Sequence, residues 1–252
     1  MTGYNMYVDE LSAERINSDI EKVILVGSYF GTSNFGDILQ LKGAIKFHKE
    51  ITKLEPVIIL DTLNLSKGIN NVNEFRKKLE VEIIIFIDKN SIVNIGEFKL
   101  KQLSSAMQIA HLHLYGGGFM NKYWGGFVTS VVEYFHEAFK VKNYIISGQQ
   151  VSQDYAKEFI DHCSKLKPLI VGVRDYDSLT NVENSGINVH FSFDDALEEL
   201  LAIKVKVLQT TCRKTVLLHM NASSYTSKED SDNSNFFNMA NWLLSSEGKF
   251  DC

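Results

Sequence analysis

Short apolar runs alternate with helix-like segments along most of this chain, and that alternation restricts the folds open to it. Eight runs rich in valine, isoleucine and aromatic residues predict strands near residues 22–28, 57–61, 81–87, 111–115, 143–147, 169–173, 188–191 and 215–220. Helix signals fall near residues 37–50, 72–79, 97–109, 127–140, 154–166, 176–184, 194–203 and 235–246. This order predicts an α/β fold, with a parallel sheet covered by helices on both faces.

A domain boundary is predicted near residues 204–213. Before it, residues 1–21 are interpreted as an N-terminal extension or helix, and residues 22–203 as the first α/β domain. After it, a strand-like run and an amphipathic helix bring the chain almost to its last residue, whereas a βα unit needs a following parallel strand. We therefore expect residues 204–252 to be a linker and the truncated start of a second α/β domain. The alternative is that this last βα unit packs onto the first sheet.

Composition excludes several classes of protein. The net charge of −5 and the absence of lysine- or arginine-rich blocks argue against a nucleic-acid-binding protein. The longest apolar runs, such as residues 83–87, are too short to cross a bilayer, and the acidic N-terminus does not have the apolar core of a secretion signal. Cys163, Cys212 and Cys252 are widely spaced, which indicates isolated thiols. We expect a cytoplasmic globular protein.

Polar or glycine-bearing loops follow four of the predicted strands. They span residues 27–37, 116–126, 148–154 and 174–178. Because the carboxyl ends of parallel strands meet at one edge of a sheet, these loops are predicted to face one crevice, where ligands of open α/β sheets bind. Neither a G-x-G-x-x-G nor a P-loop pattern is present, so the sequence gives no support for a standard nucleotide site.

The first loop supplies the substrate-binding candidates Gly31, Asn34 and Gly36 and the catalytic candidate Asp37. Free backbone N–H groups at a helix start can bind an anion or sugar hydroxyls. An acid on that turn would oppose a phosphate, which favours a general base or a hydroxyl ligand as the role of Asp37. The alternative is that Asp37 only caps the helix.

The second loop supplies backbone and aromatic candidates. A triple glycine permits close approach of the backbone to a ligand, and Tyr123 and Trp124 follow it. The aromatic pair either forms a platform for a sugar or anchors the loop in the core. The predicted substrate-binding residues here are Gly116, Gly117, Gly118 and Trp124.

The ends of the next two strands supply Gln149 and Arg174. Gln149, with its neighbours Ser147 and Gln150, offers neutral hydrogen bonds that suit sugar hydroxyls. The Arg174 guanidinium can hold a carboxylate or a phosphate through two parallel hydrogen bonds, which makes it both a binding and a catalytic candidate. The alternative for Arg174 is an internal ion pair with Asp175, Asp177 or Asp194.

Three further residues near the crevice are given structural roles. Asp194 and Asp195 follow a strand-like run and are interpreted first as helix caps. His113, on a predicted strand, is more typical of a hydrogen-bonded core histidine than of a catalyst. No spacing of histidine, cysteine and aspartate predicts a metal site.

Read in order, these loops resemble the polysaccharide pyruvyl transferase family. The matching segments are GTSNFGD (Gly31–Asp37), YGGGF (Tyr115–Phe119), ISGQQV (Ile146–Val151), VRDYDS (Val173–Ser178) and FDDAL (Phe193–Leu197). The resemblance covers about residues 22–200, with a thinner match over residues 214–247.

The resemblance implies a fold and an activity. Members of this family look like two Rossmann-like domains that face each other in a GT-B-like arrangement. They transfer a pyruvyl group from phosphoenolpyruvate to two hydroxyls of a sugar, commonly on a cell-surface polysaccharide or its lipid-linked precursor, and form a cyclic ketal. No cofactor is implied beyond this donor substrate, and the acceptor implies peripheral association with a membrane.

The resemblance also assigns roles to two residues and leaves two competing functions. It implies that Arg174 binds the donor anion, and that Asp37 is a base or a ligand of the acceptor hydroxyl. Further donor-binding and acid residues are expected from the second domain. The competing functions are a GT-B-type glycosyltransferase that uses a nucleotide sugar, and a non-catalytic carbohydrate-binding module.

Overall fold

The computed structural model of the protein describes residues 3–29, 31, 34–67, 69–93 and 105–202. Its strands are β1 (Gly3–Val8), β2 (Lys22–Val26), β3 (Glu55–Asp61), β4 (Ile83–Val93), β5 (Ile109–Leu114), β6 (Gly117–Met120), β7 (Asn143–Val151), β8 (Ile170–Val173) and β9 (Val189–Phe191). Its helices are α1 (Glu10–Ile16), α2 (Phe35–Phe47), α3 (Ile69–Leu79), α4 (Phe127–Phe139), α5 (Ala156–Leu166), α6 (Tyr176–Val182) and α7 (Leu197–Ala202). A π-helical turn (His48–Thr52) continues α2.

The nine described strands form one sheet, in the order β1-β4-β3-β2-β5-β7-β8-β9, with β6 beside β7. Every described pair is parallel except β1 with β4. The chain moves outward on one side of β2 through β3 and β4, and on the other side through β5, β7, β8 and β9. The reversal between β2 and β5 leaves a crevice beyond their carboxyl ends, which is where ligands bind in sheets of this kind.

Helices cover both faces of the sheet, as the sequence predicts. Ile24 and Val26 of β2 belong to one core, together with apolar residues of α4 and α5. Val23 and Leu25 belong to a second core on the opposite face, with α2 and α3. All four side chains are almost completely buried, which explains why the strand shows no polar alternation.

Two strands were not predicted from the sequence. Residues 3–8 form β1, an antiparallel edge strand, where an extension or helix was expected. Arg76 fixes the segment after β1 by donating to Asp9 and to Ser12, whose hydroxyl also accepts the Ile84 N–H at 3.0 Å. The other strand is β6, which forms inside the predicted loop after β5 and pairs with β7.

Part of the sequence prediction lies outside the described residues. This holds for the boundary near residues 204–213, the strand near 215–220, the helix near 235–246 and most of the helix near 97–109. Within the part of the chain that the structure describes, no helix combines the length and apolar character needed to cross a membrane.

Candidate functional site

Loops from both sides of the strand-order reversal converge on a segment that follows β9. We call residues 192–196 the acidic turn, because they contain Asp194 and Asp195. The two carboxyl groups contact different elements: Asp194 bonds to α2 and to the end of β8, whereas Asp195 bonds to β7 and to the loop after β5. The acidic turn therefore closes the crevice side of the sheet and brings the predicted loops together.

Arg174 lies in an internal network at the end of β8. One guanidinium nitrogen (Nη1) donates to Asp194 at 2.7 Å, and the other (Nη2) donates to the Gln150 side chain at 2.6 Å. Its Nε atom is 3.9 Å from Asp175, which instead caps α6 by accepting the Ser178 N–H at 2.7 Å. The side chain remains 25% exposed. Of the expected ion pairs, the one with Asp194 is the close one, so an incoming anion would have to share Arg174 with that carboxylate.

Asp37 occupies the first turn of α2 but is not its N-cap. The cap is Asn34, whose side chain accepts the Gly36 N–H at 3.0 Å. Burial raises the pKa of the Asp37 carboxyl; a hydrogen bond from Ser28 opposes the rise, the charge of Asp194 adds to it, and the charge of Arg174 opposes it. Asp37 therefore lies within the electrostatic field of the Arg174–Asp194 pair.

Gln40 connects α2 to the acidic turn. Its amide nitrogen donates to both carboxylate oxygens of Asp194, at 3.0 and 3.1 Å, and its amide oxygen accepts the Ser28 hydroxyl at 3.0 Å. The side chain is almost completely buried. These bonds orient Asp194 toward Arg174 and fix the start of the loop after β2 against α2.

Asp195 is bonded to the sheet rather than to a helix start. Its Oδ2 atom accepts the Gly116 N–H at 2.5 Å and the Ser147 hydroxyl at 2.7 Å. Burial raises the pKa of Asp195 to about 6, with the charge of Asp194 adding to the rise and both hydrogen bonds opposing it. The expectation that Asp195 caps a helix was wrong; Asp194 is the residue whose side chain accepts the Ala196 N–H, at 2.9 Å.

Three glycines make room for Asp195. A Cβ atom on Gly116 or Gly148 would lie 2.9 or 2.8 Å from its Oδ2 atom, and one on Gly43 would lie 2.0 Å from its carbonyl oxygen. Gly148 also has φ +59°, which disfavours any other residue. Gly116, predicted to bind substrate, thus has a second reason to be glycine: any side chain there would push the acidic turn away from the sheet.

The other predicted glycines of these loops lie against different side chains. A Cβ atom on Gly118 would be 3.2 Å from the Arg174 guanidinium, so Gly118 borders the network of that arginine. Gly117 lies against the Phe119 ring, and Gly31 (φ +91°) lies against the Asn64 side chain.

Two predicted binding side chains differ sharply in exposure. Trp124 is 52% exposed and makes an edge-to-face contact with Tyr123, with ring centroids 5.1 Å apart. Gln149 is completely buried and donates to the Leu114 and Ser147 carbonyls at 3.3 and 2.9 Å. A buried amide bonded to backbone does not present itself to a crevice, whereas the exposed indole can.

Sequence reasoning missed Gln40 as part of this site. Ser147 and Gln150 were expected to bond to sugar hydroxyls, whereas in the structure Ser147 bonds to Asp195 and His113, and Gln150 bonds to Arg174. A polar residue at a buried helix position was the available signal for Gln40. No group of three or more metal-ligating side chains is arranged to hold an ion among the described residues.

The raised pKa of Asp195 predicts a pH-dependent cost to stability. A carboxyl group whose pKa rises from 3.8 to about 6 on folding stabilises the fold fully below pH 4, and loses that contribution as pH rises through 6. Asp195→Asn, which cannot ionise, should therefore be more stable than the native chain by about 2 kcal/mol at pH 8, after allowance for partial exposure. Urea denaturation between pH 4.5 and 8 measures the difference.

The matched control is Asp161→Asn, which removes one negative charge from an exposed position on α5. Its free energy of unfolding should follow that of the native chain across the same pH range. If Asp195→Asn were equally destabilising at pH 4.5 and pH 8, the assigned burial of an ionisable carboxyl would be wrong.

The family was tested independently of this geometry. A model described as polysaccharide pyruvyl transferase matches residues 34–243, well over half of the chain. The match includes all five segments of the resemblance except the first residues of GTSNFGD. A search of curated proteins gave no match. Since the family model spans most of the chain and the loops it covers converge on the crevice, this chain belongs to the polysaccharide pyruvyl transferase family.

Proposed function

We propose that the protein transfers a pyruvyl group from phosphoenolpyruvate to two hydroxyls of a sugar, on a surface polysaccharide or its precursor, and forms a pyruvate ketal. Family membership supports this reaction. The main supporting observation is the arrangement of side chains at the crevice beyond β2 and β5. There Asp194 bonds to both Arg174 and Gln40, and the charges of Arg174 and Asp194 act on Asp37. One cation beside several carboxyl groups suits a reaction that binds an anion and moves protons.

The balance of charge indicates which substrate the described residues bind best. Near Arg174 lie the carboxyl groups of Asp37, Asp175 and Asp194, and Asp195 interacts in turn with Asp194. Carboxylates accept hydrogen bonds from sugar hydroxyls readily but repel a phosphate. We infer that this part of the protein holds the acceptor sugar and makes one cationic contact to the donor. The remaining donor contacts then come from outside the described residues.

The proposed chemistry uses acids and bases in turn. Protonation of the donor methylene carbon uses the C=C electron pair to form a C–H bond and leaves an oxocarbenium-like centre. One sugar hydroxyl adds to that centre and passes its proton to a base. Phosphate then leaves with its C–O electron pair, and the second hydroxyl closes the ketal ring and gives its proton to the conjugate base of the acid used in the first step. Asp37 is proposed as the base or hydroxyl ligand, and Arg174 as the ligand of the donor anion. The reaction takes place at the cytoplasmic side of a membrane when the acceptor is lipid-linked.

The reaction is tested by incubating the chain with phosphoenolpyruvate and a panel of hexosides that carry neighbouring pairs of free hydroxyls. The expected products are inorganic phosphate and a ketal carbon and methyl signal in NMR spectra of the sugar. Hexosides with one hydroxyl of the pair methylated are the control and should give no ketal. A nucleotide sugar consumed in place of phosphoenolpyruvate would support a glycosyltransferase instead, and sugar binding without turnover would support a binding module.

Loss of the guanidinium should weaken donor binding. Arg174→Ala removes a charge-assisted contact to the donor anion, so the Kd for phosphoenolpyruvate should rise about tenfold or more. Calorimetric titration measures the change, with UDP as a control ligand. Arg15→Ala, an exposed arginine of α1 that lies 3.8 Å from Glu82, is the matched control for net charge. Equal affinity in the native chain and in Arg174→Ala would remove Arg174 from the donor site.

Neutralising Asp37 should lower turnover without destabilising the fold. Asp37→Asn keeps the size of a first-turn side chain of α2 but cannot accept a proton, so turnover should fall about a hundredfold if the residue is the base. Phosphate release at saturating substrates measures it. Glu10→Gln, a first-turn acid of α1, is the matched control and should leave turnover unchanged. Normal turnover in Asp37→Asn would exclude the base role.

A further inference from the structure

A continuous chain of hydrogen bonds runs from Asp195 into the core. Asp195 bonds to the Ser147 hydroxyl at 2.7 Å, and Ser147 bonds to His113 Nε2, also at 2.7 Å. His113 Nδ1 lies 3.0 Å from His48 Nε2, and His48 Nδ1 lies 3.0 Å from the Thr52 hydroxyl. We call Ser147, His113, His48 and Thr52 the buried relay. It links the crevice to the π-helical turn that ends α2.

The burial of the relay determines the charge of its histidines. His48 and His113 are almost completely buried. Burial lowers the pKa of His48 to about 4, and it lowers the pKa of His113 well below its usual value. The neighbouring rings, including His111 with its centroid 6.0 Å from that of His48, lower both values further. Both imidazoles are therefore neutral near pH 7, and each carries one proton on one of its two nitrogens.

Every bond of the relay can be made with either of two polarities. When Asp195 is a carboxylate, Ser147 donates to it, His113 donates from Nε2 to Ser147, and His48 donates from Nε2 to His113. When Asp195 is protonated it donates to Ser147, Ser147 donates to His113 Nε2, and the histidines donate from Nδ1. Both arrangements satisfy every donor and acceptor of the relay at the observed distances.

Thr52 makes both arrangements possible at the far end. Its hydroxyl lies 3.0 Å from His48 Nδ1 and also 3.0 Å from the His48 carbonyl. With protonated Asp195, Thr52 accepts from Nδ1 and donates to that carbonyl. With ionised Asp195, Thr52 donates to Nδ1, and the carbonyl keeps the Leu54 N–H at 3.2 Å. No buried group is left unpaired in either case, so neither polarity pays the cost of a lost hydrogen bond.

We propose that Asp195 is the proton-exchanging carboxyl group of the crevice, and that the buried relay positions its proton by changing polarity with it. Its use as the acid that protonates the donor methylene carbon rests on the proposed function, whereas the change of polarity does not. When the relay passes from the protonated to the ionised arrangement, each member gives its proton to the next, and Thr52 releases its own to water. When Asp195 takes up a proton again, the same transfers run in reverse, so atoms and charges balance.

The groups around Asp195 are consistent with this role. On the acidic turn, the charged neighbour of Asp195 is Asp194. Asp194 itself accepts hydrogen bonds from Arg174, at the end of β8, and from Gln40 of α2. The groups that bond to Asp195 itself, the Gly116 N–H and the Ser147 hydroxyl, are both neutral. A carboxyl group that meets only neutral donors and an acidic neighbour exchanges protons closer to neutral pH than one paired with a cation.

The proposal is tested by the position of the imidazole protons, with no substrate present. The full chain is labelled with ¹⁵N-histidine, and long-range ¹H–¹⁵N correlation spectra are recorded between pH 4.5 and 8. We expect His113 and His48 to change together from the Nδ1–H to the Nε2–H tautomer as pH rises, with a shared midpoint near pH 6. Asp195→Asn should abolish the pH dependence, and Ser147→Ala should uncouple both histidines from Asp195.

Controls separate the relay from a purely structural role. Ser130→Ala, at an exposed position of α4, should leave the tautomer change intact. A single tautomer across the whole range, protonation of His113 on both nitrogens near pH 6, or an unaltered midpoint in Asp195→Asn would overturn the proposal. Failure of ketal formation would leave this result unaffected. If ketal forms, Ser147→Ala should shift the pH profile of kcat and leave the Kd for phosphoenolpyruvate unchanged.

Discussion

Burial of both faces of a parallel sheet is the constraint on which the rest of this structure depends. Strand β2 is apolar on both sides, so neither face can carry the polar groups that bind a ligand. The carboxyl edge remains, and the reversal of strand order between β2 and β5 places the crevice there. His113 is a polar exception inside the core, and both of its ring nitrogens have hydrogen-bond partners, as burial requires.

The acidic turn sets two adjacent carboxyl groups in opposite surroundings. Asp194 faces a guanidinium and an amide, whereas Asp195 faces a backbone N–H and a hydroxyl. Neighbouring acids in such different environments are suited to different tasks, one to hold charge and one to move a proton. The turn reaches this geometry only because Gly116 and Gly148 let it approach the sheet closely. These glycines, which are prominent in the sequence, thus leave the space that the Asp195 carboxyl group occupies, in addition to bordering the crevice.

The sheet could be predicted from sequence where local signals are strong. The seven predicted strands that fall on described residues all occur, because their apolar runs have lengths and flanking turns typical of buried strands. Strand β1 was missed because GYNMYV mixes polar and apolar residues and depends on its pairing with β4. Strand β6 was missed because a glycine-rich run has no strand propensity of its own.

The position of the crevice could be predicted from the sequence, whereas the hydrogen bonds within it could not. Strand ends and loop composition indicated Arg174 and Asp37, and an ion pair of Arg174 with Asp194 was one of the alternatives considered. The hydrogen bond between Ser147 and Asp195 joins residues 48 positions apart, and no local sequence pattern predicts it. The link from His113 to His48 joins residues 65 positions apart and depends on where the π-helical turn lies relative to β5. Such contacts follow from tertiary packing, which periodicity does not encode.

The excess of acids in the crevice has a consequence for the order of events under the proposed function. An anion that binds beside Arg174 adds negative charge close to Asp194 and Asp195, and like charges favour the protonated form of a carboxyl group. Asp195 is the one whose pKa is already raised to about 6, so it would take up the proton. Binding and protonation are then linked, and each favours the other by the same free energy. Donor binding would favour the protonated form of the acid that the first chemical step requires, and the relay would supply the proton from the π-helical turn without opening the crevice to water.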